Sequence, residues 1–185
     1  MRLSPRAKLL LMAALFAAPI AASFVAYYFF PHEATANYGE LIPPTAVTRQ
    51  PFQGVDGGRF DFSRVLGRWA MVASDSGACP AACREKLEAM RQVRLALGRK
   101  AIRVERVFVV DDVQAPDPGA LREFEGTLVA ITPRGMVLPA GAANDRAHIY
   151  LVDPRGNVML RWPARADRAR MLKDLERLLR ASQIG

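Results

Sequence analysis

Residues 69–110 have the sequence WAMVASDSGACPAACREKLEAMRQVRLALGRKAIRVERVFVV. Its first five residues, 69–73, are apolar and predict a short buried strand. Residues 80–97 show helical periodicity, and Gly98 ends the predicted helix. The apolar positions of this helix are Leu87, Met90, Val93 and Leu97. Residues 102–110 alternate and then become wholly apolar, which is typical of a central strand covered on both faces. A helix between two strands implies that they are parallel.

The C-terminal part of the chain contains an antiparallel hairpin and a final helix. Residues 149–152 and 158–162 are rich in strand formers and flank the turn Asp153-Pro154-Arg155-Gly156. Residues 118–126 predict a short helix, and 127–131 a strand or a loop. The last helix has one apolar stripe. Its members are Met171, Leu172, Leu175, Leu178 and Leu179.

Upstream of residue 69 the sequence predicts a small hairpin and an extended linker. Residues 52–62 place the turn Asp56-Gly57-Gly58 between short apolar flanks. Residues 31–48 contain three prolines and little periodicity, which indicates a linker. The order of elements predicts an α/β protein with a mixed sheet and helices on both faces, the arrangement of a thioredoxin-like domain.

Residues 9–30 form a run of 22 residues without a charge. At ~1.5 Å per residue, a helix of this length spans a hydrocarbon core of ~30 Å. A cleaved signal peptide is the alternative, because Ala21-Ala22-Ser23 resembles a cleavage site. We prefer an uncleaved anchor, since the apolar run continues to Phe30.

The basic residues at the start of the chain predict its orientation. Arg2, Arg6 and Lys8 precede the apolar run, and the next Lys or Arg is Arg49. The positive-inside rule therefore places the N-terminus in the cytoplasm. We expect a single-pass protein of a bacterial inner membrane, with residues 1–30 as flank and anchor, 31–48 as linker and 49–185 as a periplasmic domain.

Composition excludes several classes of function. The 185 residues carry a formal net charge of +8 and contain only two Cys and two His. Two cysteines do not make a disulfide-rich scaffold, and the spacings match no zinc module. The chain has no Gly-rich phosphate loop and no serine-hydrolase elbow. We expect no nucleic-acid partner, because the domain is tethered outside the cytoplasm.

The chemistry of the chain centres on Cys79 and Cys83, which directly follow the first central strand. If Pro80 opens the helix, Cys79 caps it, where the positive end of the helix dipole favours a thiolate. Cys83 then lies one turn further on the same face, within disulfide distance. Two such thiolates suit Cu(I). They also suit thiol exchange, although the usual redox spacing has two intervening residues. A structural disulfide is the third interpretation.

These features together resemble the Sco/SenC proteins. The resemblance rests on the N-terminal anchor, the Asp56-Gly57-Gly58 hairpin, Cys79-Pro80-Ala81-Ala82-Cys83 after a strand, and Tyr150-Leu151-Val152-Asp153-Pro154-Arg155-Gly156. Asn37-Tyr38-Gly39-Glu40-Leu41 is a further similarity to an oxidase-associated, membrane-anchored branch of that group. The resemblance implies a thioredoxin-fold protein that assists copper insertion into cytochrome c oxidase, with an oxidase subunit or another periplasmic copper or thiol protein as partner.

The chain departs from the family at the residue that should complete the copper site. The resemblance places the family's histidine ligand at Asp145, five residues before Tyr150. His148 is the only nearby imidazole, and on an extended strand its side chain points to the other face. We retain His148 as a candidate third ligand and regard His32, in the linker, as a weaker one.

Other polar and sulfur side chains have ordinary explanations alongside functional ones. Asp75 is positioned to accept a thiol proton as a general base, or to act as a turn residue. Met136 and Met159 are thioether candidates, although isolated methionines usually fill gaps in a core.

The sequence therefore supports three hypotheses for an oxidase assembly factor. In the first, Cys79, Cys83 and His148 or a partner residue bind Cu(I). In the second, the protein is a thiol-disulfide oxidoreductase in which Cys79 attacks and Cys83 resolves the mixed disulfide. In the third, the protein has lost the metal site and acts through its surface.

Overall fold

The computed structural model describes residues 4–29, 37–47, 52–132, 145–182 and 184. The chain divides into two units, Met1–Ala36 and Asn37–Gly185. The first unit contains α1 (Pro5–Phe29), whose segment Pro5–Val25 is long and apolar enough to cross a membrane and has no buried residue. It is the one helix of this kind among the described residues.

In its described part, the second unit contains one mixed sheet, three α-helices and two 3₁₀ helices. The strands are β1 (Glu40–Ala46), β2 (Phe52–Gln53), β3 (Arg59–Phe60), β4 (Trp69–Asp75), β5 (Val104–Val110), β6 (Leu128–Ile131), β7 (His148–Val152) and β8 (Asn157–Pro163). The α-helices are α2 (Ala81–Ala96), α3 (Pro118–Glu123) and α4 (Arg168–Ala181), and the 3₁₀ helices are Phe62–Val65 and Gly98–Arg103. The strand order is β1-β8-β7-β4-β5-β6-β2-β3.

The centre of the sheet confirms the predicted topology. β4 pairs in parallel with β5, with Val72 opposite Val107, and α2 forms the crossover between them. β4 pairs antiparallel with β7, and β7 forms the predicted hairpin with β8. Residues 128–131, for which the sequence left strand and loop open, form β6, which runs parallel to β5.

Alternation along the strands divides the core into two layers. One layer contains Met71, Ile149 and Leu151 and is covered by α2, α3 and α4. The other contains Val72, Tyr150 and Val152 and packs against the aromatic side chains of Phe52, Phe60 and Phe62. Helices were predicted on both faces, but the described α2, α3 and α4 all lie on one face. The short hairpin β2–β3 and a 3₁₀ helix cover the other, because three phenylalanines supply enough apolar area there.

Residues 40–46, which the sequence places in the linker, form the edge strand β1 instead. β1 pairs antiparallel with β8, and its register shifts between Leu41 and Thr45, around Pro43 and Pro44. Proline lacks the backbone N–H needed for a ladder hydrogen bond, so it is tolerated at a sheet edge. Composition alone suggested a linker because two prolines in seven residues are unusual for a strand.

The chain just before β1 is fixed to α4 through one buried carboxylate. Asp174 accepts hydrogen bonds from the backbone N–H groups of Tyr38 (2.9 Å) and Gly39 (2.8 Å) and from Trp162 Nε1 (2.9 Å). Arg170 stacks on the Tyr38 ring, 4.1 Å from its centroid. We call Tyr38, Gly39 and Asp174 the clasp, because together they attach the start of the domain to its last helix.

Candidate functional site

The two cysteines meet where β4 is followed by α2. Cys79 lies four residues after the end of β4, and Cys83 lies in the first turn of α2. Their sulfur atoms form a disulfide, with Cα atoms 5.1 Å apart. Cys79 is 2% exposed and Cys83 is fully buried. Both cysteines are thus buried, and because Cys79 keeps the small exposed fraction of the pair we describe it as being on the surface side.

The helix begins one residue later than predicted. Its first residue is Ala81, and Pro80 rather than Cys79 is at the N-cap position. Among the described residues no side chain caps this end of α2. Because Cys83 is the third helical residue, it lies among the free N–H groups of the first turn. The favourable field of the helix dipole therefore acts more directly on Cys83 than on Cys79.

The backbone of Cys79 adopts an unusual conformation. Its φ is +43°, and it is the only described residue other than glycine with a positive φ. Its N–H donates to Ser76 O at 2.9 Å, so residues 76–79 form a tight turn. A side chain in the left-handed region costs about 1–2 kcal/mol. The turn thus holds Cys79 in a strained conformation at the point where it bonds to Cys83.

A buried ion pair lies beside the disulfide. Lys86 is 1% exposed, and its Nζ is 2.8 Å from Asp75 Oδ2. Lys86 also donates to Ser74 O at 2.7 Å and to Arg146 O at 2.9 Å. All three ammonium protons therefore have acceptors. Asp75, a candidate general base from the sequence, is engaged by Lys86 and by the Ser76 N–H.

A second group of charges follows the C-terminal end of β5, the strand next to β4. The Arg146 guanidinium contacts both oxygens of Asp111, and this hydrogen bonding raises the pKa of Arg146. Asp112 Oδ1 accepts the N–H groups of Gly77 and Gln114, each at 3.1 Å. Burial raises the pKa of Asp112, but hydrogen bonds from Ser76, Gly77 and Gln114 outweigh it, so this pKa is below its usual value. Asp112 thereby fixes the turn that carries Cys79.

The structure does not bring His148 to the cysteines. His148 begins β7 and contacts the Tyr150 ring, which belongs to the core layer opposite the cysteines. Asp145 Oδ2 lies 2.6 Å from His148 Nδ1 and accepts the Tyr150 hydroxyl at 2.6 Å. Burial and this hydrogen bond raise the pKa of Tyr150 to about 12. Asp145, at the position where the Sco/SenC resemblance places a histidine, therefore binds the side chains of His148 and Tyr150.

The remaining sequence candidates do not join the site. Met159 packs partly against the buried core. His32 and Met136 lie outside the described residues. Across the described ranges no group of three His, Cys, Asp or Glu side chains is arranged to hold a metal ion. Within this part of the chain, a three-ligand copper centre does not fit the residues present.

Sequence reasoning missed Lys86, Asp111, Asp112 and Arg146. Lys86 had a recognisable signal, because it lies three residues after Cys83 and four before Met90, on the apolar stripe of α2. A lysine on a buried stripe needs a carboxylate partner, and Asp75 at the end of a buried strand is one. Arg146 gave no signal, since its position depends on long-range packing.

The fold and site define a thioredoxin-like domain with a disulfide at the strand-to-helix junction, in a chain that also has an apolar N-terminal helix. Residues 69–182 match a family model described as the transmembrane-like, thioredoxin-like, C-terminal domain. That match covers more than half of the chain, and the chain belongs to this family. No curated protein matches the sequence.

Solved structures with the same fold include Sco proteins. Apo Sco1 from Thermus thermophilus aligns with a TM-score of 0.62 at 19% identity, covering 77% of this chain and 96% of that chain. Copper-bound yeast Sco1 aligns with a TM-score of 0.61 at 14% identity, covering 76% and 96%. The thioredoxin domain of a Bacteroides vulgatus thiol-disulfide oxidoreductase aligns with 0.55 at 15% identity, covering 75% and 99%. At these identities the similarity shows the fold, and at that level the predicted Sco/SenC resemblance is confirmed.

Proposed function

We propose that this protein is a membrane-anchored assembly factor for a haem-copper (cytochrome c) oxidase and that its Cys79–Cys83 pair works by reversible disulfide exchange. The observation that carries the proposal is the disulfide between the end of a central strand and the first turn of α2. A bridge that closes so short a loop adds little chain entropy to stability, which argues against a purely structural purpose. The oxidase as partner rests on the sequence resemblance.

In this function the two sulfurs have different roles. Reduced Cys79, on the surface side, attacks a partner disulfide as a thiolate and forms a mixed disulfide. Cys83 then attacks Cys79 Sγ, releases the second partner thiol and restores the internal disulfide. The first turn of α2 favours the resolving thiolate, because Cys83 lies among its free N–H groups.

A trapping experiment tests this division of roles. Cys83→Ala should accumulate mixed disulfides with a periplasmic partner that carries a disulfide, because Cys79 still attacks that disulfide and the resolving thiol is missing. Cys79→Ala is the matched control and should accumulate far fewer, since its remaining Cys83 is fully buried. Non-reducing electrophoresis with mass spectrometry measures both. Equal trapping by the two variants, or none by either, contradicts disulfide exchange through Cys79.

A second candidate function is delivery of Cu(I) as cargo. Once reduced, the pair offers two thiolates on Cα atoms 5.1 Å apart, and thiolates are the ligands that select Cu(I). The copper-bound Sco structure has the same fold. In this hypothesis the described part of the chain supplies two ligands, and a partner residue supplies any third.

Anaerobic Cu(I) titration of the reduced protein against a competing chelator tests the copper hypothesis. We expect Cys79→Ser to abolish binding and His148→Ala to leave it unchanged, because His148 faces the other core layer. Weaker binding in His148→Ala would overturn the assignment of that side chain to a separate cluster. Failure of the reduced protein to compete with a weak chelator removes copper delivery.

The proposed location is a bacterial inner membrane, with the N-terminus in the cytoplasm and the thioredoxin-like domain in the periplasm. It is supported by α1 and by the basic residues before the apolar run. Disulfide exchange is consistent with that compartment, where thiol pairs become oxidised.

A further inference from the structure

We infer that the buried Lys86–Asp75 pair positions the two cysteines and sets how strongly they favour the disulfide over the dithiol. The inference deepens the proposed redox function and rests on it. Lys86 and Asp75 are positioning residues here, since they act through the elements that carry Cys79 and Cys83 and take part in no bond change.

The ion pair joins the two elements that carry the cysteines. Asp75 is the last residue of β4, and Lys86 lies in the second turn of α2. Besides the 2.8 Å contact with Asp75, Lys86 donates to Ser74 O at 2.7 Å, which gives two connections from α2 to the end of the same strand. A third, to Arg146 O at 2.9 Å, adds the segment that precedes β7.

The disulfide and the ion pair close the same stretch of chain. Asp75 lies four residues before Cys79, and Lys86 lies three residues after Cys83. When the disulfide opens, the ion pair still limits the separation of the strand end and the helix start. It therefore maintains a high effective concentration of one thiol for the other.

Backbone strain makes this restraint necessary. Cys79 has a φ of +43°, a conformation that a residue other than glycine leaves when nothing holds it. In the oxidised protein the bond to Cys83 holds it. In the reduced protein the surrounding contacts must do so, and the ion pair is the buried charged contact that links β4 to α2 among the described residues. Without it, Asp112 still holds the turn, but the start of α2 is free to move away from the end of β4, so re-forming the disulfide becomes less favourable.

Glutathione provides a balanced reaction that measures this effect. Two glutathione thiols reduce the Cys79–Cys83 bond, become one glutathione disulfide and leave both protein cysteines as thiols. The equilibrium constant reports the stability of the protein disulfide directly. Neighbouring groups that share a structural unit typically couple strongly enough to change such a constant by about tenfold.

The experiment compares variants of the full chain in detergent micelles, equilibrated with glutathione buffers and analysed by mass after thiol alkylation. The principal variant is Asp75→Asn/Lys86→Met, which keeps side-chain volume and leaves no buried charge unpaired. Lys86→Met alone is the second variant, in case the double substitution prevents folding, because Asp75 then keeps the Ser76 N–H and the Arg146 guanidinium, 4.0 Å away, as partners. Asp174→Asn is the matched control, because it alters another buried carboxylate, whose hydrogen-bond partners are Tyr38, Gly39 and Trp162 and not residues of β4 or α2.

We expect the double variant to shift the equilibrium about tenfold toward the dithiol and the Asp174→Asn control to shift it less than twofold. If the equilibrium constant of the double variant lies within twofold of the wild-type value, the inference is overturned and the proposed disulfide exchange is unaffected. An equal shift in the control also overturns it, since any loss of stability would then have the same effect. A wild-type disulfide that resists glutathione and dithiothreitol while the protein is folded instead overturns the proposed function.

Discussion

Replacing Gly39 with alanine tests the packing of the clasp. A Cβ at this position would lie 2.3 Å from Leu160 Cδ2, 2.8 Å from Leu160 Cγ and 2.7 Å from Trp162 Nε1. These distances are too short for non-bonded atoms, and Leu160 and Trp162 are both fully buried. Neither side chain can move into solvent, so β1 must move away from β8.

The expected cost follows from two contributions. Overpacking of a closely packed site typically costs about 1–3 kcal/mol. Moving β1 also weakens the hydrogen bond from the Gly39 N–H to Asp174, and a hydrogen bond to a charged group contributes about 1.5–3 kcal/mol. Because one displacement causes both losses, they overlap, and we expect the free energy of unfolding to fall by about 2–4 kcal/mol.

Urea unfolding of the full chain in micelles, followed by tryptophan fluorescence, measures this loss. Trp162 donates to the same carboxylate as Gly39, so its emission reports the clasp. Gly119→Ala is the matched control, because a Cβ at this position would lie 3.3 Å from its nearest neighbour, an Asp117 side-chain oxygen at the surface. We expect its free energy of unfolding to change by less than about 0.5 kcal/mol. A Gly39→Ala protein with the wild-type midpoint and slope would refute the described packing of β1 on β8.

Three further predictions concern ionisable groups and orientation. The pKa of Tyr150 is raised to about 12, so the contribution of Tyr150 to stability is fully present below the ordinary tyrosine value of about 10 and is lost as the pH rises through about 12. Asp145→Asn should lower the pH midpoint of tyrosinate formation, measured by ultraviolet absorbance. An unchanged midpoint contradicts the hydrogen bond from Tyr150 to Asp145. The pKa of Asp112 is lowered, so the contribution of Asp112 to stability is present above the ordinary aspartate pKa and is lost as the pH falls through the pKa of the folded state. Asp112→Asn should make hydrogen exchange of the Gly77 amide less dependent on pH in the acid range. Wild-type exchange in this variant would contradict the role of Asp112 in fixing the turn. Alkaline phosphatase fused after Gly185 should be active in a bacterial host, whereas an inactive fusion would indicate the opposite orientation.

The local pattern of the sequence was sufficient to predict the centre of the sheet. The strand at residues 69–73, the helix that follows it and the apolar run ending at Val110 show their periodicity directly. Pro154 and Gly156 similarly identify the turn between β7 and β8. These elements are determined by neighbouring residues, which is why inspection of one sequence finds them.

The candidate site was only partly predictable. Cys79 and Cys83 are close in sequence, and their pairing follows from that separation. The contact between Lys86 and Arg146 joins residues that are 60 positions apart, and it depends on how α2 and β7 pack on the sheet. The clasp joins Tyr38 to Asp174 over 136 positions for the same reason. Such contacts have no local pattern, so periodicity and turn rules do not find them.

The prolines of β1 have a consequence for the protein's behaviour at high local density. A free sheet edge offers backbone donors to which a strand from another molecule can add. In the edge strand β1, Pro43 and Pro44 lack backbone N–H groups, and the register with β8 is interrupted between Leu41 and Thr45. When copies of the domain meet at high density, this edge resists strand addition, which counteracts polymerisation by β-sheet extension at β1.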